Sequence, residues 1–231
     1  MPTLRMDGFG ELAAGLAHEL NQPLSAITLL TEACRRYLRK DPVDTAKPLE
    51  LVAEIAAQSE RATRMIAHLR SFIDKGEPEF EPVDIGKVVR YVPHLLGREL
   101  EEARVALRVH VPEHRLDVEA DRIQIEEVLV NLVQNAIDSI QETNGTERVI
   151  ELRARAVKGM CEVSVRDTGS GMSGSVAKRM FEVFRSTKAR GLGIGLTISR
   201  SIVDAHRGRI WTEAPPDGTP GAVVLFSIPL K

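Results

Sequence analysis

Residues 126–140, EEVLVNLVQNAIDSI, set two asparagines into a helix otherwise built from Val, Leu and Ile. Asn131 and Asn135 are four apart and so share a face, with Glu127 one turn earlier and Asp138 nearly one turn later. Asparagine inside a helix costs roughly 0.5–0.7 kcal/mol relative to alanine, so two facing the same way ask for a reason. A solvated polar face is one. The other is chemical: amide oxygens suit a hard cation such as Mg²⁺, which is commonly held by a few protein oxygens plus phosphates.

The surrounding sequence bears on that choice. Downstream, the strand CEVSVRD ends at Asp167 and runs directly into Thr168-Gly169-Ser170-Gly171-Met172. Glycines there permit positive φ and close approach of backbone to a ligand, and a carboxylate at the strand end can accept from an exocyclic amine such as that of adenine. Further on, STKARGLGIGLTISRSIVDAH alternates Gly191, Gly193 and Gly195 ahead of an amphipathic helix, with Lys188 three residues before the first glycine. Backbone amides of such a loop and the positive end of the helix form an anion site, to which the lysine adds a mobile charge. The loop lacks the GxxxxGK[ST] spacing of a Walker loop, and GxGxG departs from the GxGxxG dinucleotide fingerprint. Taken singly, each glycine set could be only a turn.

Around these motifs the pattern is mixed. The spacing predicts helices at about 85–102, 121–141 and 194–206, and strands at VALRVHV (105–111), VIELRARAV, CEVSVRD, GRIW and AVVLFSIPL. That is an α/β sandwich with helices on one face and a largely antiparallel sheet. Upstream, from Gly10 to about Asp74, strand signals vanish and two helical segments flank the turn-rich KDPVDTAKP at 40–48. Val52, Ile55, Ser59, Ala62, Ile66, Leu69 and Ile73 alternate steps of three and four, as do Leu16, Leu20, Pro23, Ile27, Leu30, Cys34 and Tyr37. A hairpin of that size is marginal alone, so two copies are expected to pair as a four-helix bundle. His18 sits about 200° around the helix from Leu16 and from Leu20 and should face solvent. DKGEPEFEPVD (74–84) reads as a linker. The expected division is therefore 1–75 helical hairpin, 76–84 linker and 85–231 α/β sandwich, an α+β chain overall.

Composition narrows the function. With 31 basic against 33 acidic residues in 231, there is no basic field for nucleic acid or an anionic membrane. The two cysteines, Cys34 and Cys161, have no metal-ligand spacing and suggest no disulfide framework. No apolar run approaches the ~20 residues of a membrane span, so no direct membrane insertion is expected and a cytoplasmic setting fits, whether alone or as the cytoplasmic portion of a larger sensor.

In this order the motifs resemble the sensor histidine kinases of two-component signalling, over nearly the whole chain. GELAAGLAHELNQPLSAITLL (10–30) looks like the H-box, with His18 at the phosphoacceptor position; NLVQNAID looks like the N-box, RDTGSGM like the first glycine box, MFEVFRSTK like the F-box and GLGIGL like the second glycine box. The resemblance implies a dimerisation and histidine-phosphotransfer domain followed by a GHKL-type ATP-binding domain. It implies that Asn135 is the principal Mg²⁺ ligand and that Asn131 supports metal and phosphates. Asp138 would join the ATP site, Asp167 would read the adenine amino group, and Gly169 and Gly171 would shape its pocket. Lys188, Gly191, Gly193 and Gly195 would belong to the lid that closes on the phosphates, Leu196 would join the ATP site, and Glu19 would orient His18 and take its proton. One departure stands out: many relatives carry Thr or Asn four residues after the histidine to aid hydrolysis of the phosphorylated regulator, whereas this chain has Gln22, with Asn21 one place earlier.

The expected activity is ATP-dependent autophosphorylation of His18 and transfer to an aspartate of a response regulator, by a homodimer whose sensory input domain lies outside this sequence. Two alternatives share the nucleotide motifs: a GHKL kinase acting on serine, which would lack this H-box, and a scaffold that binds ATP without transfer. Pro23, which costs a helix about 3 kcal/mol, withholds a hydrogen bond from the Glu19 carbonyl and would allow a bend beside His18.

Overall fold

The computed structural model describes residues 6–39, 46–73, 78–143, 145, 147–171, 195–215 and 218–231; the side chains of 6–19, 60, 61, 64, 65 and 67–73 are outside that description. The chain divides into two compact units, residues 1–75 and 76–231, described in turn.

The first unit is a helical hairpin of α1 (Met6–Leu38) and α2 (Ala46–Ile73). α1 runs unbroken through Pro23, which is buried. On α2 the inward line is Pro48, Leu51 and Ala62, with Ile55 half-buried, whereas Val52 and Ile66 of the expected seam are more than half exposed. Each helix of a two-helix hairpin covers only a strip of its partner, so one edge of the seam turns in and the other stays open. Leu24, Leu29, Leu38 and Leu49 are likewise exposed in the single chain. Among the described residues no helix is long and apolar enough to cross a membrane.

The second unit begins with a difference from the sequence expectation. Residues 81–84, read above as the end of a linker, form strand β1 (Glu81–Asp84), which pairs antiparallel with β3 (Asp117–Ala120). Alternation is invisible in four residues that include Pro82, and the pairing depends on a partner more than thirty residues away. Asp84 then caps α3 (Ile85–Ala103), its carboxylate accepting from the Gly86 amide at 3.0 Å, as an N-cap aspartate should. The main sheet has the order β2-β4-β5-β7-β6: β2 (Ala106–His110), β4 (Val149–Val157), β5 (Met160–Asp167), β7 (Val223–Pro229) and β6 (Arg209–Glu213). Three of its pairings are antiparallel; β2 and β4 run parallel, a crossover that β3 and α4 (Arg122–Gln141) make possible.

α3, α4 and α5 (Gly195–Ala205) pack on this sheet. Their apolar stripes, with Val89 and Val92 on α3, Leu129 and Leu132 on α4 and Ile198 and Ile202 on α5, meet Ile150, Leu152, Val163 and Phe226 in a closed core. Each such side chain contributes about 1.5–3 kcal/mol when fully buried. The consequence for function is positional: this packing fixes α4, and with it the asparagine stripe, against the ends of β5 and α5.

Candidate nucleotide site

Asp121 starts α4, accepting the Gln124 amide at 3.2 Å on Oδ1. From there the stripe runs along the helix from Asn131, buried at 4 % exposure, through half-buried Asn135 to exposed Asp138. The side-chain nitrogen of Asn131 is enclosed and has no hydrogen-bond partner among the described residues. A buried amide donor without an acceptor carries a desolvation cost of about 1–3 kcal/mol, which an anionic oxygen at that position would offset. Gly195, first residue of α5, lies against the same side chain: a Cβ placed there would stand 3.6 Å from Asn131 Oδ1. The positive end of α5 thus faces a buried carboxamide that offers both a donor and an acceptor.

At the other end of the stripe stands Asp167, the last residue of β5 and 5 % exposed. Its Oδ1 accepts the Gly169 amide at 2.8 Å and the Ser139 hydroxyl at 3.4 Å, while its own amide donates to Ala222 O at 3.0 Å. The turn after it is held on both sides. A Cβ on Gly169 would fall 2.1 Å from Ser139 Oγ and 2.7 Å from the Ser139 carbonyl carbon, so only glycine lets the turn lie flush on α4. Gly171 has φ +72° and abuts Gly221, which has φ +125° and whose Cβ would fall 2.0 Å from Asp167 O. Thr168 pins the turn to the edge of β4, its hydroxyl donating to Glu147 O at 2.7 Å and accepting from the Val149 amide at 3.1 Å.

The structure thus sets Asn131, Asn135 and Asp138 along α4, with Gly195, followed by half-buried Leu196, against Asn131, and Asp167 and Gly169 against Ser139, with Gly171 against Gly221. Lys188, Gly191 and Gly193 lie outside the described residues, as does the whole MFEVFRSTK stretch. His18 and Glu19 lie within α1, but their side chains, and so the outward orientation expected of His18, are outside the description. Sequence reasoning missed Ser139, Thr168 and Gly221. Ser139 was findable, four residues after Asn135 on the same helix face; Gly221 carried no signal, because it reaches the site from the distant β6–β7 connection.

Among the described residues no group of three or more His, Cys, Asp or Glu side chains could hold a metal ion by itself. The oxygens the stripe itself offers are the amide oxygens of Asn131 and Asn135 and the carboxylate of Asp138, a donor set of the kind a hard cation takes together with phosphate oxygens. Cys161 on β5 takes no part: burial pushes its thiol up to about 12, so it stays protonated and unreactive at neutral pH.

Residues 10–77 match the His Kinase A (phospho-acceptor) domain and residues 120–231 the histidine kinase-, DNA gyrase B- and HSP90-like ATPase family. The chain is 39% identical to the sensor protein FixL of Bradyrhizobium diazoefficiens over 97% of its own length and 44% of that protein, and 34% identical to the C4-dicarboxylate transport sensor protein DctB of Rhizobium meliloti over 96% and 35%. It thus spans less than half the length of these curated relatives. Among solved structures, the catalytic domain of histidine kinase ThkA aligns with a TM-score of 0.57 at 32% identity, over 66% of this chain and 96% of that one. ThkA in complex with response regulator protein TrrA aligns with a TM-score of 0.74 at 26% identity, over 98% and 63%. With a phosphoacceptor-type hairpin ahead of an ATPase-type sandwich, and with that agreement across both, the chain belongs to the sensor histidine kinases of two-component signalling.

Proposed function

We propose that this chain is the transmitter core of a protein-histidine kinase, which moves the γ-phosphoryl group of ATP to His18 and then to an aspartate of a response regulator. The observation that carries the reading is the convergence of buried Asn131, with its unpartnered amide nitrogen, on Gly195 at the head of α5, on the same helix whose next turns reach Asp167. One end suits phosphates and the other suits a base with an exocyclic amine.

In this reading Asp167 accepts from the adenine amino group, held in place by Gly169 and Ser139. Asn131 donates to phosphate oxygen, and Asn135 with Asn131 would hold Mg²⁺, with Asp138 at the rim of the same stripe. Magnesium, when bound, would neutralise phosphate charge as the group leaves. Lys188, Gly191, Gly193 and Gly195 would belong to the lid over the phosphates, and Leu196 would join the ATP site. An imidazole nitrogen of His18 forms the new bond to the γ-phosphorus as the bond to the bridging oxygen breaks and ADP departs; Glu19 orients the ring and takes its proton. The aspartate of the regulator then displaces the imidazole. The relative ThkA has been solved with a response regulator, and the same class of partner is proposed here, with a sensory module contributed from outside these residues.

We further propose that the hairpin works as a homodimer, supported by the exposed line of Val52 and Ile66 and by exposed Leu24, Leu29 and Leu49. Dependence on ATP supports a cytoplasmic setting for the proposed reaction.

The test is incorporation of label from γ-labelled ATP with magnesium. Wild type should acquire acid-labile, alkali-stable label; His18→Gln should lose it while still binding nucleotide, and Asn135→Ala should lose label together with magnesium-dependent binding. Retention of label by His18→Gln would sink the assignment of the phosphoacceptor.

A further inference from the structure

The second unit is entered through residues 78–80, and these are tied down before β1 begins. The Glu79 amide donates to Asp121 Oδ2 at 3.3 Å, while Oδ1 of the same carboxylate caps α4. Next to it the Phe80 ring lies 5.1 Å from the imidazole of His206, inclined by 57°. His206 is 2 % exposed, yet Phe80 remains 48 % exposed.

His206 is the hub of this cluster. Its Nε2 lies 3.0 Å from the Asp121 amide, and its Nδ1 lies 2.8 Å from Ile202 O. A backbone amide can only donate and a carbonyl can only accept, so Nδ1 carries the hydrogen and Nε2 presents the lone pair. The ring's backbone is equally fixed: His206 follows the last residue of α5, where Arg207 takes φ 55° and the Gly208 amide returns to Val203 O at 2.9 Å. One imidazole therefore joins the end of α5 to the start of α4, and the entering chain lies across it. These are the two helices that carry Gly195 and the asparagine stripe.

We propose that Phe80 and His206 form a coupling point between the linker and the nucleotide site, with His206 a positioning residue for phosphoryl transfer. Linker position is read where Phe80 bears on the ring, and the ring's two hydrogen bonds pass it to α4 and α5 together. A residue serving only to fill the core would be enclosed, whereas Phe80 keeps half its surface in water. A histidine serving only to fill the core would give up hydration of two ring nitrogens that an apolar side chain does not have. The functional part of the inference rests on the kinase reading above.

The test compares wild type with Phe80→Ala, Phe80→Tyr and, as a control on α3 outside the cluster, Leu95→Ala. In the full chain, Phe80→Ala should speed hydrogen exchange at the Asp121 amide about tenfold. It should also lower kcat of autophosphorylation roughly fivefold while KM for ATP stays within about twofold. Phe80→Tyr should restore both, and Leu95→Ala should match wild type. The coupling is overturned if exchange and kcat in Phe80→Ala stay within about twofold of wild type, if KM rises in step with the loss of kcat, or if Phe80→Tyr fails to restore them. Should wild type itself take up no label, the kinase reading falls, and the exchange comparison alone then upholds or overturns the contact as a coupling device.

Discussion

Replacing Asp167 by Asn keeps the shape of the site and removes its charge. The substituted side chain can still accept the Gly169 amide through its oxygen, which is the 2.8 Å bond that closes the turn, so the fold should persist. Its other terminal atom becomes a donor. In the proposed complex that donor would face the donor amine of adenine. A hydrogen bond to a charged group contributes about 1.5–3 kcal/mol, and at 5 % exposure little of that is screened. ATP affinity should therefore fall roughly 10- to 150-fold. A purine triphosphate bearing a carbonyl at the same ring position, such as ITP, should lose much less or gain, because the new amide can donate to it. Titration calorimetry with a non-hydrolysable ATP analogue and with ITP reads both affinities, and thermal melting without ligand confirms that the unit is folded. Unchanged ATP affinity in a folded Asp167→Asn protein would refute the assignment of Asp167 to the base.

Gly221→Ala forces a side chain to φ +125° and to within 2.0 Å of Asp167 O; overpacking of this kind costs about 1–3 kcal/mol, and nucleotide affinity should fall although the residue belongs to the β6–β7 connection, as a fluorescent ATP analogue would report. Val52→Asp places a charge on the exposed edge of α2; size-exclusion chromatography with light scattering should show a shift from dimer to monomer, while the second unit keeps its ATP affinity.

Most helices and strands of the second unit follow from local pattern. Helical periodicity marks α3 and α4, and alternation marks β4 and β5, because period is a property of neighbouring residues. The chemistry-bearing residues on α4 were equally legible, since two asparagines on one face of an apolar helix are anomalous within a single turn. What tertiary structure decided is which groups meet. β1 exists only by pairing with β3, and the linker expected to run through 84 ends earlier for that reason. Only one edge of the α2 seam turns inward within the chain. Gly221 touches Asp167, and His206 touches both Asp121 and Phe80, through contacts spanning from about fifty to well over a hundred residues of sequence. A local pattern records the energy of a residue with its neighbours along the chain; Asp167, Gly221 and His206 draw their roles from neighbours across it, and those are set only when the sheet and helices pack.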